Sequence, residues 1–127
     1  MISARMVRTI ASLALFLVAL PALAASRPLG TDDIRTLLTG NTVHGTWAGR
    51  EYFSYFEANG STTYVEPGKP SSQGRWQAAG DKYCSKWGEM GSETCYALEM
   101  DGDTLLWVTS EGTRYPSKVL PGDQLPK

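Results

Sequence analysis

Histidine and cysteine are scarce in this sequence, which contains one histidine, His44, and two cysteines, Cys84 and Cys95, among 127 residues. These three residues are too few to complete a four-ligand zinc site. Asp101 and Asp103 lack the further oxygen ligands of a calcium loop and are interpreted as hairpin-turn residues. No partner stands near His44 at the spacing of a catalytic set, so His44 is interpreted as an ordinary surface or strand-edge residue. The sequence therefore predicts no metal site, no cofactor and no enzymatic activity.

Long apolar runs are also missing, apart from a short one near the start. Arg5 and Arg8 precede an apolar stretch over residues 10–20, which is about half the length that a membrane-spanning helix needs. A proline and a run of small residues follow it, and this order of segments is typical of a secretory signal peptide. The sequence thus predicts a signal peptide over residues 1–24. It also predicts a single periplasmic or secreted domain over residues 25–127, with no integral membrane segment.

Positive charge is not in excess. Without its first 24 residues the chain loses two of its 12 basic residues and none of its 13 acidic residues, which leaves a net charge of −3. A mildly acidic chain without a basic patch is poorly suited to bind nucleic acid or an anionic membrane surface. We therefore expect neither of these as a partner.

The two cysteines are best explained as a disulfide. Thiols outside the cytoplasm tend to be oxidised, and a redox-active pair would more usually read C-x-x-C than show the spacing of Cys84 and Cys95. If the two cysteines face each other across a hairpin, the same register places Tyr83 opposite Tyr96, which is a favourable cross-strand pair. The bridge closes a loop of about a dozen residues and would contribute roughly 3 kcal/mol to stability.

One short helix is predicted before the strands. Thr31 offers a hydroxyl cap, Asp32 and Asp33 add negative charge to the first turn, and apolar residues follow at helical spacing. Gly40 provides a stop. These signals predict a helix of about two turns over residues 31–39.

The remainder of the chain has the pattern of short strands. Aromatic and β-branched residues cluster in runs separated by turn signals such as Asn59-Gly60, Gly80-Asp81 and Asp101-Gly102. This spacing predicts a mainly β fold, in which an antiparallel up-and-down meander of about eight strands follows the helix. The meander is expected to form either a small barrel or a strongly curved sheet.

Two of these turns determine which residues of the later strands point inward. The turn at Gly80-Asp81 places Trp76 on the apolar inner face. A two-residue turn at Asp101-Gly102 directs Leu105 and Trp107 inward, whereas an added bulge would direct the alternate residues inward, and we favour the former. The predicted pairs are Trp76 with Ser85 and Trp107 with Tyr96.

Several motifs together resemble a family of small exported bacterial proteins of unknown function. The motifs are Leu38-Thr39-Gly40-Asn41-Thr42-Val43, Tyr52-Phe53 with Asn59-Gly60, Gly74-Arg75-Trp76, the two cysteines and Leu120-Pro121-Gly122. They cover nearly the whole of the predicted mature chain. The resemblance implies a shared fold and compartment and assigns no activity.

A second resemblance rests on Gly45-Thr46-Trp47, which follows the predicted helix. This tripeptide is similar to the G-x-W motif of lipocalin and avidin barrels and of small periplasmic barrel-type protease inhibitors. In those families the tryptophan closes one end of the barrel, often under an arginine from the last strand. The resemblance implies a small lipocalin-like barrel in which Trp47 is a buried structural residue and Arg114 is its partner.

Aromatic residues are more numerous than so small a core needs, and five of them lie around the Asn59-Gly60 turn. A two-residue turn there would place Tyr55 opposite Tyr64 on one face of the hairpin. Only one face can pack on the core, so the other is expected to bind a ligand or a partner. The candidate binding residues are Tyr52, Phe53, Tyr55, Phe56 and Tyr64.

These observations predict an exported, non-enzymatic binding module for a small apolar molecule or a protein partner. The alternative is an inhibitor of a secreted hydrolase, either a protease or a lysozyme. In that case a loop, or the segment over residues 26–30, would enter the cleft of the target.

Overall fold

The computed structural model describes residues 11–17 and 25–127. Residues 11–17 have no regular secondary structure, and the rest of the predicted signal peptide lies outside the described residues. Within the two described ranges there is no helix both long enough and apolar enough to span a membrane.

The predicted short helix is present as α1 (Thr31–Leu38). It begins after Gly30, whose backbone N–H donates to Asp33 Oδ2 at 3.2 Å, and the acidic first turn complements the positive end of the helix dipole. Thr31 is not the cap that the sequence suggested. Its hydroxyl instead accepts a hydrogen bond from the backbone N–H of Asp81 at 2.8 Å. This bond ties the start of the helix to the turn at Gly80-Asp81.

Eight antiparallel strands follow the helix and close into a barrel. The strands are β2 (Asn41–Trp47), β3 (Arg50–Phe56), β4 (Ser61–Val65), β5 (Ser72–Ala79), β6 (Lys82–Trp87), β7 (Thr94–Asp101), β8 (Thr104–Val108) and β9 (Arg114–Pro121). Each pairs with the next along the chain, and β9 also pairs with β2. A further short strand, β1 (Arg27–Pro28), pairs with β7. The predicted mainly β meander is confirmed, and it is a closed barrel rather than an open curved sheet.

The two ends of the barrel differ. At one end α1 contacts β2, β5 and β6, and it buries Ile34 and Leu38 completely. We call this the closed end, and its strand connections are residues 57–60, 80–81 and 102–103. The opposite end, which we call the open end, carries the loops 48–49, 66–71, 88–93 and 109–113.

Side chains fill the half of the barrel nearest the helix. Because neighbouring residues of a strand point to opposite sides, alternate side chains of every strand meet inside. The ring of Phe56 lies edge-on to Trp76 and to Tyr83, with centroids 5.5 Å and 5.7 Å apart. Leu98 and Leu105 are also fully buried in this cluster, which continues into the apolar face of α1. The core therefore lies between the helix and the middle of the barrel.

Cys84 and Cys95 form the predicted disulfide, with Cα atoms 4.0 Å apart. The bond joins β6 to β7, which pair here through three residue pairs, including Tyr83 with Tyr96. The pairing of Trp76 with Ser85 across the preceding turn is present as well. Both predicted registers are confirmed.

The predicted register between β3 and β4 is wrong because the loop contains three residues, not two. Glu57 N–H donates to the Ser61 carbonyl at 2.9 Å, Gly60 N–H donates to the Glu57 carbonyl at 3.1 Å, and Gly60 has a φ of +90°. This geometry is a type I turn followed by a glycine bulge, which adds one residue to the loop. Relative to the prediction, the register therefore moves by one residue. The observed pairs are Ser54 with Tyr64 and Tyr55 with Thr63.

The predicted register between β7 and β8 is also wrong, although its consequence is mild. The turn falls at Gly102-Asp103, with Gly102 at a φ of +59°, as the first central position of a type II′ turn favours. Trp107 consequently lies opposite Leu98 instead of Tyr96. Because a shift of two residues preserves the alternation of faces, Leu105 and Trp107 still point inward as expected.

Candidate functional site

The open half of the barrel contains a cavity of about 220 Å³ that opens to solvent. Eight of its eleven lining residues are aromatic, and the other three carry hydroxyl groups. The lining residues are Trp47, Tyr52, Ser54, Phe56, Tyr64, Tyr83, Ser85, Trp87, Thr94, Tyr96 and Trp107.

Two tryptophans stand at the mouth of this cavity, each at the end of a strand. Trp87 is 36% exposed and packs against Gly74, where an added Cβ would lie 2.6 Å from Trp87 Cε3. Trp47 stacks on Tyr115 with centroids 4.1 Å apart and lies edge-on to Tyr96 at 5.3 Å. These contacts fix both indole rings before any ligand enters.

A hydrogen-bonded serine fixes the deeper wall of the cavity. Ser117 is 4% exposed and lies behind the lining. Its hydroxyl accepts a hydrogen bond from the Trp107 indole N–H and donates one to the Leu105 carbonyl, each at 3.0 Å. Trp107 is thereby held with its N–H satisfied and its ring facing the cavity.

Tyr52 lies beside these groups and differs from them. Its side chain is 4% exposed, and among the described residues its hydroxyl is the one buried side-chain polar group with no hydrogen-bond partner. Ser117 and Trp107 lie nearby, but they are bonded to one another. Gly45 lets the hydroxyl pack closely against β2, because a Cβ there would lie only 3.2 Å from the hydroxyl oxygen. An unpaired buried hydroxyl costs about 1–3 kcal/mol. The hydroxyl lies within the wall, so it is the rest of the Tyr52 side chain that lines the cavity.

The cavity is electrically neutral. None of the described residues that line it is charged. Burial raises the pKa of both Tyr52 and Tyr83 above that of an ordinary phenol, so both hydroxyls keep their protons at physiological pH. An ion entering this site would lose its hydration without meeting an opposite charge. The site therefore favours uncharged molecules.

The structure divides the five predicted binding residues between the two faces of the barrel wall. Tyr52, Phe56 and Tyr64 line the cavity, and the rings of Tyr52 and Tyr64 are stacked with centroids 5.5 Å apart. Phe53 and Tyr55 point outward and are half-buried. The expectation that Tyr55 and Tyr64 share a face is wrong, because the bulge in the β3–β4 loop moves Tyr64 to the inner face.

The expected roles of Trp47 and Arg114 also differ from the observed ones. Trp47 is partly exposed and lines the cavity, so it is not a fully buried end plug. Arg114 forms two hydrogen bonds of 3.1 Å with the Glu99 carboxylate. The ring that covers Trp47 belongs to Tyr115. Alternation explains the difference, because neighbouring residues of β9 point to opposite sides of the wall.

Reasoning from the sequence missed much of the lining. Trp107 was expected to point inward but was not named as a binding residue. The aromatic Trp87 and Tyr96 and the hydroxyl-bearing Ser54 and Ser85 were not named as binding residues either. The period of two in β3 and β6 carries a signal for these serines, since they alternate with outward residues like their aromatic neighbours. The period of two does not show which part of the barrel interior is left empty of side chains and forms the cavity.

Two other groups of residues have the chemistry of a possible functional site, but both lie away from the cavity. His44 stacks on Phe53 with centroids 4.1 Å apart, and its Nε2 is 3.7 Å from Glu51 Oε2 on the outer wall. Cys84 and Cys95 lie near a glutamate, but their sulfurs are joined to each other and supply no thiolate for a metal.

Comparison with known protein families, with curated proteins and with solved structures finds no match for this chain. The two resemblances drawn from short motifs, to small exported bacterial proteins and to lipocalin-like barrels, stay predictions.

Proposed function

We propose that this chain is an exported, non-enzymatic binding protein that holds a small uncharged molecule in the open half of its barrel. The observation that carries the proposal is the cavity itself, in which eight aromatic side chains surround an opening to solvent. Ligand sites are typically concave and apolar, with a few polar groups that orient the ligand.

The size of the cavity limits the size of the ligand. A buried apolar cavity of about 150 Å³ is large enough to bind benzene, and drug-sized ligands occupy clefts of about 300–1,000 Å³. The volume of about 220 Å³ lies between these values. It suits a molecule of one ring or two fused rings. A long acyl chain would have to extend beyond the mouth.

The cavity is also largely formed in advance. Trp47 is held by Tyr115, Trp87 by the backbone at Gly74, and Trp107 by the hydroxyl of Ser117. A ligand that enters between rings already in place has fewer side chains to immobilise, which lowers the entropic cost of binding.

Thermal unfolding with small probes tests the proposal. Indole or naphthalene at about 100 times its Kd should add about 2.7 kcal/mol to the free energy of unfolding and raise Tm. Trp87→Ala should weaken the binding of the same probe in a calorimetric titration. Phe53→Ala, which removes an aromatic ring from the outer wall, is the matched control and should leave the affinity unchanged. If no aromatic probe binds at millimolar concentration, the proposal is wrong.

One observation favours the alternative, an inhibitor of a secreted hydrolase. Met90 is 98% exposed in the loop over residues 88–93, and the disulfide joins the two strands that carry this loop. Residues 26–30 are a weaker candidate for entering a cleft, because Leu29 N–H bonds to the Leu98 carbonyl at 2.9 Å and holds that segment in the sheet. Inhibition assays with a lysozyme and a secreted protease test this alternative. If the chain is such an inhibitor, Met90→Asp should abolish inhibition and leave the binding of aromatic probes intact.

A further inference from the structure

Two serines interrupt the aromatic lining of the cavity. Ser54 lies on β3 and Ser85 on β6, and the inward residues on either side of each serine are aromatic. These neighbours are Tyr52 and Phe56 in β3, and Tyr83 and Trp87 in β6. Each serine therefore leaves space where the next inward residues of its strand carry rings. We call Ser54 and Ser85 the serine pair.

Building on the proposed function, we infer that the ligand is a neutral aromatic compound whose ring carries a hydroxyl group, and that this group forms hydrogen bonds with the serine pair inside the cavity. The aromatic side chains of the lining contact the ring of the ligand. A phenol is the simplest compound of this class.

The Ser54 hydroxyl can be reached from the cavity. Ser54 lines the cavity and is 5% exposed. Among the described residues, the one fully enclosed side-chain polar atom without a partner is the Tyr52 hydroxyl oxygen. The Ser54 hydroxyl has no hydrogen-bond partner among these residues either, so its oxygen must adjoin open space. On the inner face of β3 that space is the cavity.

Ser85 supplies a second hydroxyl. It is also 5% exposed, and its hydroxyl lies beside that of Tyr83. A bond between two hydroxyl groups uses one of their two protons and leaves the other to be donated. The third hydroxyl-bearing residue of the lining, Thr94, is already exposed to solvent.

A hydroxyl on the ligand matches what the serine pair offers. A serine hydroxyl both donates and accepts hydrogen bonds, and so does the hydroxyl of a phenol. A pure hydrocarbon would displace water from the serine pair and leave its polar groups unpaired, which lowers affinity. The lining carries no charge that could compensate an ionised substituent, so the substituent is neutral.

Phenol and toluene test the inference, because they have nearly the same shape and differ by a hydroxyl in place of a methyl group. Water also bonds to phenol, so the affinity for phenol alone does not isolate the bond to the protein. The ratio of the two affinities, compared before and after a serine is changed to alanine, does isolate it. In calorimetric titrations of the full-length protein, Ser54→Ala or Ser85→Ala should lower the affinity for phenol relative to toluene by about 3- to 10-fold, as expected for one neutral hydrogen bond.

The matched control is Ser61→Ala, the same change on the outer side of β4. The Ser61 hydroxyl accepts a hydrogen bond from Arg75 Nη1 at 3.2 Å, away from the cavity lining, so its loss should leave the ratio unchanged. A fall in the ratio for either serine of the pair supports the inference and identifies the serine that makes the bond.

A ratio that both Ser54→Ala and Ser85→Ala leave unchanged would overturn the inference. Binding of toluene without any binding of phenol to the unsubstituted protein would overturn it too. If the unsubstituted protein binds neither compound, the proposed function itself fails, so the two failures are distinguishable.

Discussion

At the scale of single residues, Tyr52 and Ser117 are neighbouring hydroxyl groups with opposite energetic roles. The Ser117 hydroxyl satisfies both the Trp107 indole N–H and the Leu105 carbonyl, whereas the Tyr52 hydroxyl satisfies none of its neighbours. Removing a buried hydroxyl that has partners leaves those partners unpaired. Removing one that has no partner leaves the rest of the structure satisfied.

We therefore expect Ser117→Ala to lower the free energy of unfolding by about 1–3 kcal/mol in a urea titration. Tyr52→Phe should leave it within about 0.5 kcal/mol of the original value or raise it. A loss above about 1 kcal/mol for Tyr52→Phe would show that its hydroxyl is satisfied inside the folded protein, for example by a buried water.

Glu99 makes the free energy of unfolding depend on pH in the acidic range. Hydrogen bonds from Arg114 and then from Ser26 hold the pKa of this carboxyl below its usual range. A carboxyl whose pKa is lower in the folded chain binds fewer protons there than in the unfolded chain. Its stabilising effect is therefore complete above the unfolded pKa of about 4.3 and is lost as the pH falls through the lower folded value.

Accordingly, Glu99→Gln should make stability fall less steeply between about pH 5 and pH 3 than it does in the unsubstituted protein. Urea midpoints measured at several pH values report this slope. Glu111→Gln, in an exposed loop, is the control and should keep the original slope. If Glu99→Gln also keeps the slope of the unsubstituted protein, the hydrogen bonds between Glu99 and Arg114 do not contribute to stability in solution.

At the scale of elements, the hairpin of β6 and β7 depends most on a covalent bond. Only three residue pairs join these strands, against six between β5 and β6. The disulfide lies at the middle pair, Cys84 with Cys95. It holds the two strands together where the ladder is short.

Replacing both cysteines by serine should cost about 3 kcal/mol of stability, as the chain-entropy account gives for a loop of this length. Thermal unfolding of the unsubstituted protein with and without reductant measures the same loss of the disulfide. The protein isolated under oxidising conditions should contain no thiol that reacts with an alkylating reagent. A cost below about 0.5 kcal/mol would mean that the strand pairing alone holds this hairpin.

Local signals in the sequence determined most of the architecture. The capping charges before Ile34, the turn glycines and the facing cysteines predicted the helix, the meander and the disulfide. Both register errors arose at turns, where one glycine position is compatible with loops of different length. At Gly60 an additional hydrogen bond, 2.8 Å long, runs from the Trp76 N–H to the Gly60 carbonyl. It comes from the neighbouring strand β5, beyond the turn itself, and has no local signature.

The candidate site was less predictable than the fold. Alternation correctly indicates which residues of a strand point inward, but a cavity is a property of all eight strands together. Tyr64 shows how one extra loop residue moves a side chain away from the face of Tyr55, its predicted partner, and into the lining. The free hydroxyl of Tyr52 depends on Gly45 and Ser117, which belong to two other strands. No local pattern in the sequence encodes that three-way contact.

At the scale of the whole molecule, the helix closes one end of the barrel and the cavity occupies the other. Leu38 is completely buried between α1 and the strands, on the side away from the mouth. Leu38→Ala should therefore lower the free energy of unfolding by about 2–5 kcal/mol. Below the unfolding transition, it should leave the affinity for aromatic probes unchanged, as titration at low temperature can verify. A parallel loss of affinity would show that packing at the helix shapes the cavity.

The gathering of four loops at the open end has a consequence for redesign. The loops surround the mouth, while the core and the helix lie at the other end of the barrel. Doubling the length of a flexible loop adds only about 0.6 kcal/mol of closure entropy. Sequences grafted into residues 66–71 or 109–113 can thus alter what enters the barrel while its wall stays the same. If the cavity binds a ligand as proposed, the loops around its mouth can be varied independently of its wall, which would suit selection of new ligands from loop libraries.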